Sequence, residues 1–308
     1  MRNALCNLPV CFVRRPLPGA RNFKSGGDSP VIPLRDEIPS RTVPLVNYGM
    51  IGLCTFVFLA QVLGSASRDE AAGDRSFADT ILERFGMIPA RVLDPERPVH
   101  VVERVAVRTP QGWMPLERTR PAEPPPFAPW LTLLTCIFLH GGWLHFLGNM
   151  WFLHIFGDNV EDRIGHLGYL LFYLGCGVAA SATHLFTNAD STVPTIGASG
   201  AIAGVMGGYM VLYPHARVLT LVPIFIFIEI MVLPAYVFLG IWFLLQFFQG
   251  TLAVAGTEAS GVAWWAHIGG FAAGLLAVML LRNLHALRPP PRRDQRLLRS
   301  DGPRHGGF

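Results

Sequence analysis

Residues 138–157 read FLHGGWLHFLGNMWFLHIFG, twenty residues without a formal charge but with three histidines and an asparagine. A helical crossing of a bilayer takes about 20 mostly apolar residues. The uncharged stretch extends back to Pro124, longer than one crossing needs. That length predicts a span at 143–157 with a membrane-associated segment before it.

The rest of the chain agrees with that solvent. Of 308 residues, 51% are hydrophobic and 15% charged, with a mean hydropathy of +0.38. Soluble domains are nearer a quarter charged. The apolar content excludes a disordered chain. Five cysteines, an odd number, exclude a disulfide-stapled secreted module. Cys6 and Cys11 fall in the first tail, whereas Cys54, Cys136 and Cys176 lie in apolar stretches and read as small hydrophobic filler. The charges are segregated. Residues 124–261 hold two basic groups, Arg163 and Arg217, and six acids. Seven Lys/Arg lie in 1–44, nine in 65–123 and seven in 282–308. Basic tails of this kind point to an anionic bilayer surface rather than to nucleic acid.

The expected fold is an all-α membrane protein, a six-helix bundle with a long extracytoplasmic loop between its first two spans. The spans are expected at 43–64, 143–157, 167–186, 195–213, 234–250 and 262–281, with 218–233 interfacial or irregular. An even number puts both tails, 1–42 and 283–308, on one side, and the positive-inside rule makes that side cytoplasmic. The 65–123 loop, Pro-rich in PAEPPPFAP, is then outside, either a solvated linker or a small subdomain guarding an entrance. The chain start shows no apolar run followed by a small-residue cleavage site; residues 1–27 hold five basic and no acidic residues, as an organellar transit peptide does, but are Pro-rich and Ser-poor, which favours a plain basic tail over that alternative. The expected location is a bacterial cell (inner) membrane with both termini cytoplasmic.

Polar side chains at membrane depth are costly, so those present face a protein interior or a wet cavity. His145 and Asn149, four apart, share one helix face. They either glue helices by hydrogen bonding or aim two donors at a developing oxyanion. His140 precedes Gly141 and Gly142 and lies at the helix entrance, where it lines a cavity. Ser199 opens the fourth span among Gly197, Ala198, Gly200 and Ala201, small enough for a substrate backbone to approach. Gly200 and Gly204 form one GxxxG seam, and Gly270 and Gly274 form another behind His267. Ser199 is either a small packing residue or a nucleophile; His267 is either a bonded core histidine or its base. The fourth and sixth spans start from the same membrane face, so the two can meet, and a hydroxyl nucleophile needs a base within hydrogen-bond reach.

These residues resemble the rhomboid family of intramembrane serine proteases. The matching motifs are HGGWLHFLGNMWFLHIFGDNVEDRIG at 140–165, GASGAIAG at 197–204 and AHIGG at 266–270, in order on separate spans across roughly 43–282. The resemblance implies that Ser199 is the nucleophile and His267 the general base. It implies an oxyanion site from His145, Asn149 and the Ser199 backbone N–H, with Gly197 as the motif glycine before the nucleophile. Glu161 and Arg163 match the family's ExR and are expected to be structural. Two positions depart from the family pattern. The Arg that often follows Trp130 is absent, with Leu131 and Thr132 there instead, and Ala203 replaces the aromatic that often stacks on the base.

The implied reaction is hydrolysis of a peptide bond in or near a transmembrane segment by a Ser–His dyad without an acid. It needs no cofactor and no metal. The implied partners are transmembrane protein substrates and the lipid bilayer. A helical peptide bond hides its carbonyl, so the substrate span must unwind locally, with small residues preferred at the cut. One competing reading is an inactive rhomboid-like protein that binds spans without cutting them. Another is a metal site from His140, His145, His154 and His267, but HExxH is absent and His154 points away. Glu229, between Pro223 and Pro234, is expected at the inner interface within reach of water.

Overall fold

A computed structural model of the chain describes residues 32–66, 77–109, 112–224, 227–254 and 263–290. Most of the two basic tails, with Cys6, Cys11 and Glu258, lies outside these residues. The elements in chain order are β1 (Ile32–Asp36), α1 (Leu45–Ala66), α2 (Phe77–Phe85), α3 (Pro89–Leu93), β2 (His100–Thr109) and β3 (Gly112–Pro121). Then follow α4 (Thr132–Thr135, flanked by 3-10 turns), α5 (Trp143–Ile164), α6 (His166–Thr187), α7 (Ser199–Leu212), β4 (Arg217–Ile224), β5 (Phe227–Pro234), α8 (Ala235–Val254) and α9 (Trp264–Asn283).

Among the described residues, α1, α6, α8 and α9 are long and apolar enough to cross a bilayer. The helical run 129–138 and α5 qualify together, bent by 79° at the break over residues 139–142, which makes up to five. The expectation of six exceeds this for two reasons. The last two turns of α5 carry Asp158, Glu161, Asp162 and Arg163. The 14 residues of α7 rise only about 21 Å at 1.5 Å each, against about 30 Å of hydrocarbon.

α7 stands at the centre, packed on α5, α6, α8 and α9, with Gly200 to Tyr209 all buried. Glycine makes this possible. A Cβ on Gly270 would run into the Gly200 carbonyl oxygen, and one on Gly274 into that of Gly204. The two contacts advance in the same direction, so α7 and α9 run parallel and bring their first turns together. Side chains such as Phe56, Leu63, Leu171, Phe186, Leu244 and Leu276 stay exposed, as the outer faces of a bundle in lipid do.

One buried knot fixes the opposite end. The Glu161 carboxylate, fully buried, accepts the backbone N–H of Val46 (3.0 Å) and Asn47 (2.7 Å). These are among the N–H groups that the first turn of α1 leaves without intrahelical acceptors. Asn47 donates to the Leu153 carbonyl and accepts from the Tyr169 hydroxyl, joining α1, α5 and α6.

The fold is not purely helical. β1, β4 and β5 form an antiparallel sheet in the order β1-β4-β5, and β2 pairs with β3. Residues 217–234, which contain the 218–233 segment expected to be interfacial or irregular, read RVLTLVPIFIFIEIMVLP. Their β-branched and aromatic side chains suit a pleated strand better than a helix. The described part of 65–123 is folded. Glu83 accepts both Arg120 guanidinium nitrogens (2.6 and 2.9 Å) and the Glu123 N–H, and Met87 pairs with Thr195 through two backbone bonds.

Candidate active site

Ser199 is the first residue of α7, so its backbone N–H is among the four that a helix leaves without an intrahelical acceptor. The approach to it is fixed. Gly197 has φ of +121°, a conformation that suits glycine, and donates its N–H to the Cys136 carbonyl (2.9 Å). A Cβ on Gly197 would also stand 2.7 Å from His145 Nε2.

The Ser199 hydroxyl reaches His267 Nε2 at 2.7 Å. His267 sits in the first turn of α9, and the parallel glycine seam sets the two helices at the spacing this contact needs. The other ring nitrogen, Nδ1, meets Gln246 Oε1 on α8 at 2.6 Å. An amide oxygen only accepts, so Nδ1 carries the proton and donates. Nε2 then presents a lone pair, and the Ser199 hydroxyl donates to it. Trp242, one turn before Gln246, packs beside the imidazole with centroids 5.9 Å apart and planes tilted by 38°. Trp264 meets it edge-on at 6.2 Å.

His145 is the third residue of α5. Its Nδ1 accepts the Gly141 N–H (3.3 Å), so its proton is on Nε2, the atom beside Gly197. Ser199 Oγ is 3.6 Å from the same point where a Gly197 Cβ would stand, so the His145 donor and the Ser199 hydroxyl border one small space. Asn149 follows one turn along α5. Its Nδ2 is buried and has no hydrogen-bond acceptor among the described residues. An unsatisfied buried donor is uncommon and costly.

His140 lies before α5, with its ring buried against His145 at 5.3 Å. Neither ring nitrogen has a partner among the described residues. Its backbone is held instead, the Gln61 amide accepting the His140 N–H and donating to its carbonyl. Gly200 is wedged between Ala180 and Ala266, and Gly204 between Cys176 and Gly270, so both belong to the seam between α6, α7 and α9. Glu161 and Arg163 have separate partners. Glu161 holds the start of α1 and His166, while Arg163 donates to the Arg288 carbonyl (2.7 Å) and lies over the Tyr213 ring. His154 stacks on Tyr48 on the far side of α5. Glu229 is exposed on β5, a strand paired on one side by β4.

The two departures find substitutes. Without the Arg after Trp130, the 129–140 segment is secured by Thr135 Oγ donating to the Phe85 carbonyl (2.6 Å), by Gly197 on Cys136 and by Gln61 on His140. With Ala203 behind the nucleophile, the aromatic beside His267 comes from α8 as Trp242. Reading the sequence alone missed both Gln246 and Trp242. The signal was present, since Gln246 and Gln249 are the only amides in 235–254 and Gln246 follows Trp242 by one turn.

The model for the Rhomboid domain matches residues 128–284, half of the chain. "Rhomboid-like protein 11, chloroplastic" of Arabidopsis thaliana is 38% identical over 78 residues, 25% of this chain and 28% of that protein. "RHOMBOID-like protein 4" of the same plant is 35% identical over 160 residues, 49% of this chain and 34% of its own length. "Putative rhomboid protease YdcA" of Bacillus subtilis (strain 168) is 36% identical over 81 residues, 26% and 40% respectively. The chain thus spans well under half of each of these relatives. The domain match contains every element that carries Ser199, His267, His145 and Asn149, and on that match the chain belongs to the rhomboid family.

Proposed function

We propose that this chain is an intramembrane serine endopeptidase that hydrolyses a peptide bond in or near the transmembrane segment of membrane-protein substrates. The observation that carries the reading is the 2.7 Å contact between Ser199 Oγ and His267 Nε2. His267 Nε2 takes the hydroxyl proton as Oγ bonds to the substrate carbonyl carbon. The oxygen that becomes negative receives hydrogen bonds from His145 Nε2, Asn149 Nδ2 and the Ser199 N–H, at the positive end of the α7 dipole. The tetrahedral adduct expels the amine, which takes the proton from Nε2. Water, deprotonated by the same nitrogen, then attacks the acyl-serine; the acyl–Oγ bond breaks, Nε2 returns the proton to Ser199 Oγ, and the acid leaves. Gln246 supplies no charge, so the rate enhancement leans on the oxyanion donors and on positioning.

The finer topology belongs to the same proposal. Six membrane segments are reached by counting the bent 129–164 unit once and adding the short α7, with both basic tails on the cytoplasmic side of a bacterial inner membrane. In this topology Ser199, at the start of the short α7 and after the 188–198 loop, lies below the outer surface, reached from that side by water and by an unwound substrate span; the 14-residue length of α7 supports this. Small residues at the cut fit the narrow approach past Gly197 and Ala198.

The test is Ser199→Ala beside wild type, purified in lipid with a panel of single-span substrates and a fluorophosphonate probe. The expected result is cleavage and labelling by wild type only. Equal cleavage by both proteins would remove Ser199 from the mechanism. Wild type that neither cleaves nor labels would favour the reading of an inactive span-binding protein.

A further inference from the structure

We propose that Gln246 is a positioning residue that completes a Ser199–His267–Gln246 relay, holding the general base in its reactive tautomer through an uncharged amide oxygen. This rests on the proposed Ser–His reading and extends it to a third residue on a third helix.

Three observations support it. The Gln246 Oε1 to His267 Nδ1 contact is 2.6 Å, as close as the Ser199 contact on the opposite side of the ring. Gln246 is 8% exposed within the apolar segment AYVFLGIWFLLQFFQGTLAV, where a side-chain amide costs free energy unless bonded. Trp242 and Gln246, one turn apart on α8, both meet the same imidazole, one as a tilted ring at 5.9 Å and one hydrogen-bonded to Nδ1. Two tautomers of a neutral imidazole are otherwise close in energy, and only the one with hydrogen on Nδ1 leaves Nε2 free to accept from Ser199. The amide thus does what an aspartate does in a triad, with one difference. A carboxylate also stabilises the imidazolium, whereas the amide oxygen offers only a dipole. The titratable groups that face His267 from other elements are His145 on α5 and His184 on α6, both imidazoles.

The discriminating experiment uses the full chain in lipid as wild type, Gln246→Leu and Gln246→Glu. Readouts are labelling rate with a fluorophosphonate, kcat and KM on one single-span substrate against pH, and 15N NMR of labelled histidine with His267→Ala used for assignment. Gln246→Leu is expected to lower the labelling rate and kcat by at least about tenfold with KM unchanged. That loss stays below the roughly 10⁴-fold cost of removing a charged anchor. The His267 signal should change from a single Nδ1–H form to a mixture of tautomers. Gln246→Glu keeps an acceptor, so it should restore labelling at alkaline pH. Its carboxylate stabilises the imidazolium, so the acid limb of the kcat profile should move to higher pH. Wild-type labelling rate and an unchanged Nδ1–H signal in Gln246→Leu would overturn the proposal. If that variant does not fold, Gln246→Glu decides, and an unmoved acid limb overturns it. The nitrogen spectrum separates this idea from the protease reading. A single Nδ1–H form in a wild type that labels nothing would uphold the Gln246 contact while refuting the hydrolase.

Discussion

Gly200 and Gly270 meet backbone to backbone, with the Gly200 carbonyl oxygen in the place where any side chain on Gly270 would begin. The contact lies one residue past Ser199 and three past His267, so the seam and the dyad form one unit.

Gly270→Ala should therefore act on both stability and chemistry. Overpacking a tight contact costs about 1–3 kcal/mol, and here the obstacle is backbone that cannot rotate away. The expected outcome is a lower midpoint in thermal unfolding in lipid or detergent and at least about a tenfold slower fluorophosphonate reaction, since an ångström of misplacement can cost ~100-fold. Gly52→Ala, where no heavy atom lies within 4 Å of the new Cβ, is the control; alanine is the better helix former by up to about 1 kcal/mol, so this variant should keep the labelling rate and not lower the midpoint.

Asn149→Ala removes a donor that has no acceptor among the described residues in the resting protein. Its loss should leave folding and KM nearly unchanged and lower kcat by about 10²–10³, the usual range for one oxyanion donor. His145→Ala should fall in the same range. The pair combined should lose less than the product of the two effects, because both groups serve one oxygen. Steady-state kinetics of the two single variants and the double variant check this.

Glu161 is worth more to the fold than to the reaction. Glu161→Ala leaves the Val46 and Asn47 N–H groups and His166 without their carboxylate. Leaving a buried donor without its acceptor costs about 1–3 kcal/mol, and two backbone donors lose theirs here. The expected outcome is a large drop in unfolding midpoint, while protein that remains folded labels Ser199 at close to the wild-type rate.

Asp36 gives a pH signature outside the spans. Burial pushes its carboxyl up from 3.8 to about 6, against the opposing hydrogen bond from the Tyr209 hydroxyl. Asn159 Nδ2 also donates to it, and Asp158 on α5 faces it as a second carboxylate. The folded state then holds this proton more tightly than the unfolded chain does. Stability is greatest below pH 4 as far as this group is concerned and falls as pH rises from about 4 to about 6. Asp36→Asn should flatten that part of the stability curve and raise the midpoint at pH 7. Thermal melts of the two proteins from pH 4 to 7 measure the difference.

The long apolar helices were legible because lipid imposes a length and a composition: α1, α6, α8 and α9 fall within a few residues of the spans expected for them. The small-residue seams were legible for a similar reason, since Gly200, Gly204, Gly270 and Gly274 leave no other way for two helices to approach. What escaped depends on tertiary neighbours. In 217–234 an apolar run between prolines suits an interfacial segment as well as a strand, and only pairing with β1, far earlier in the chain, distinguishes them. The short α7 was extended to a full span because hydropathy does not register the turn at Gly197. Ser199, His267, His145 and Asn149 stood out as polar groups in apolar surroundings; the structure joins Ser199 to His267 and sets His145 beside Gly197, with Asn149 one turn further along α5. Gln246 obeyed the same rule and was passed over because triad reasoning looks for a carboxylate.

The glycine seam also limits how this molecule can be retuned. Elsewhere in proteins, the gap between two reacting groups is adjusted by swapping one bulky neighbour for another. Here the gap is a main-chain dimension, set where two polypeptide backbones rest on each other with nothing between them to trim. Improved or altered turnover should therefore arise from the surroundings of the pocket and from α8, while changes along the α7–α9 contact act as an on–off condition.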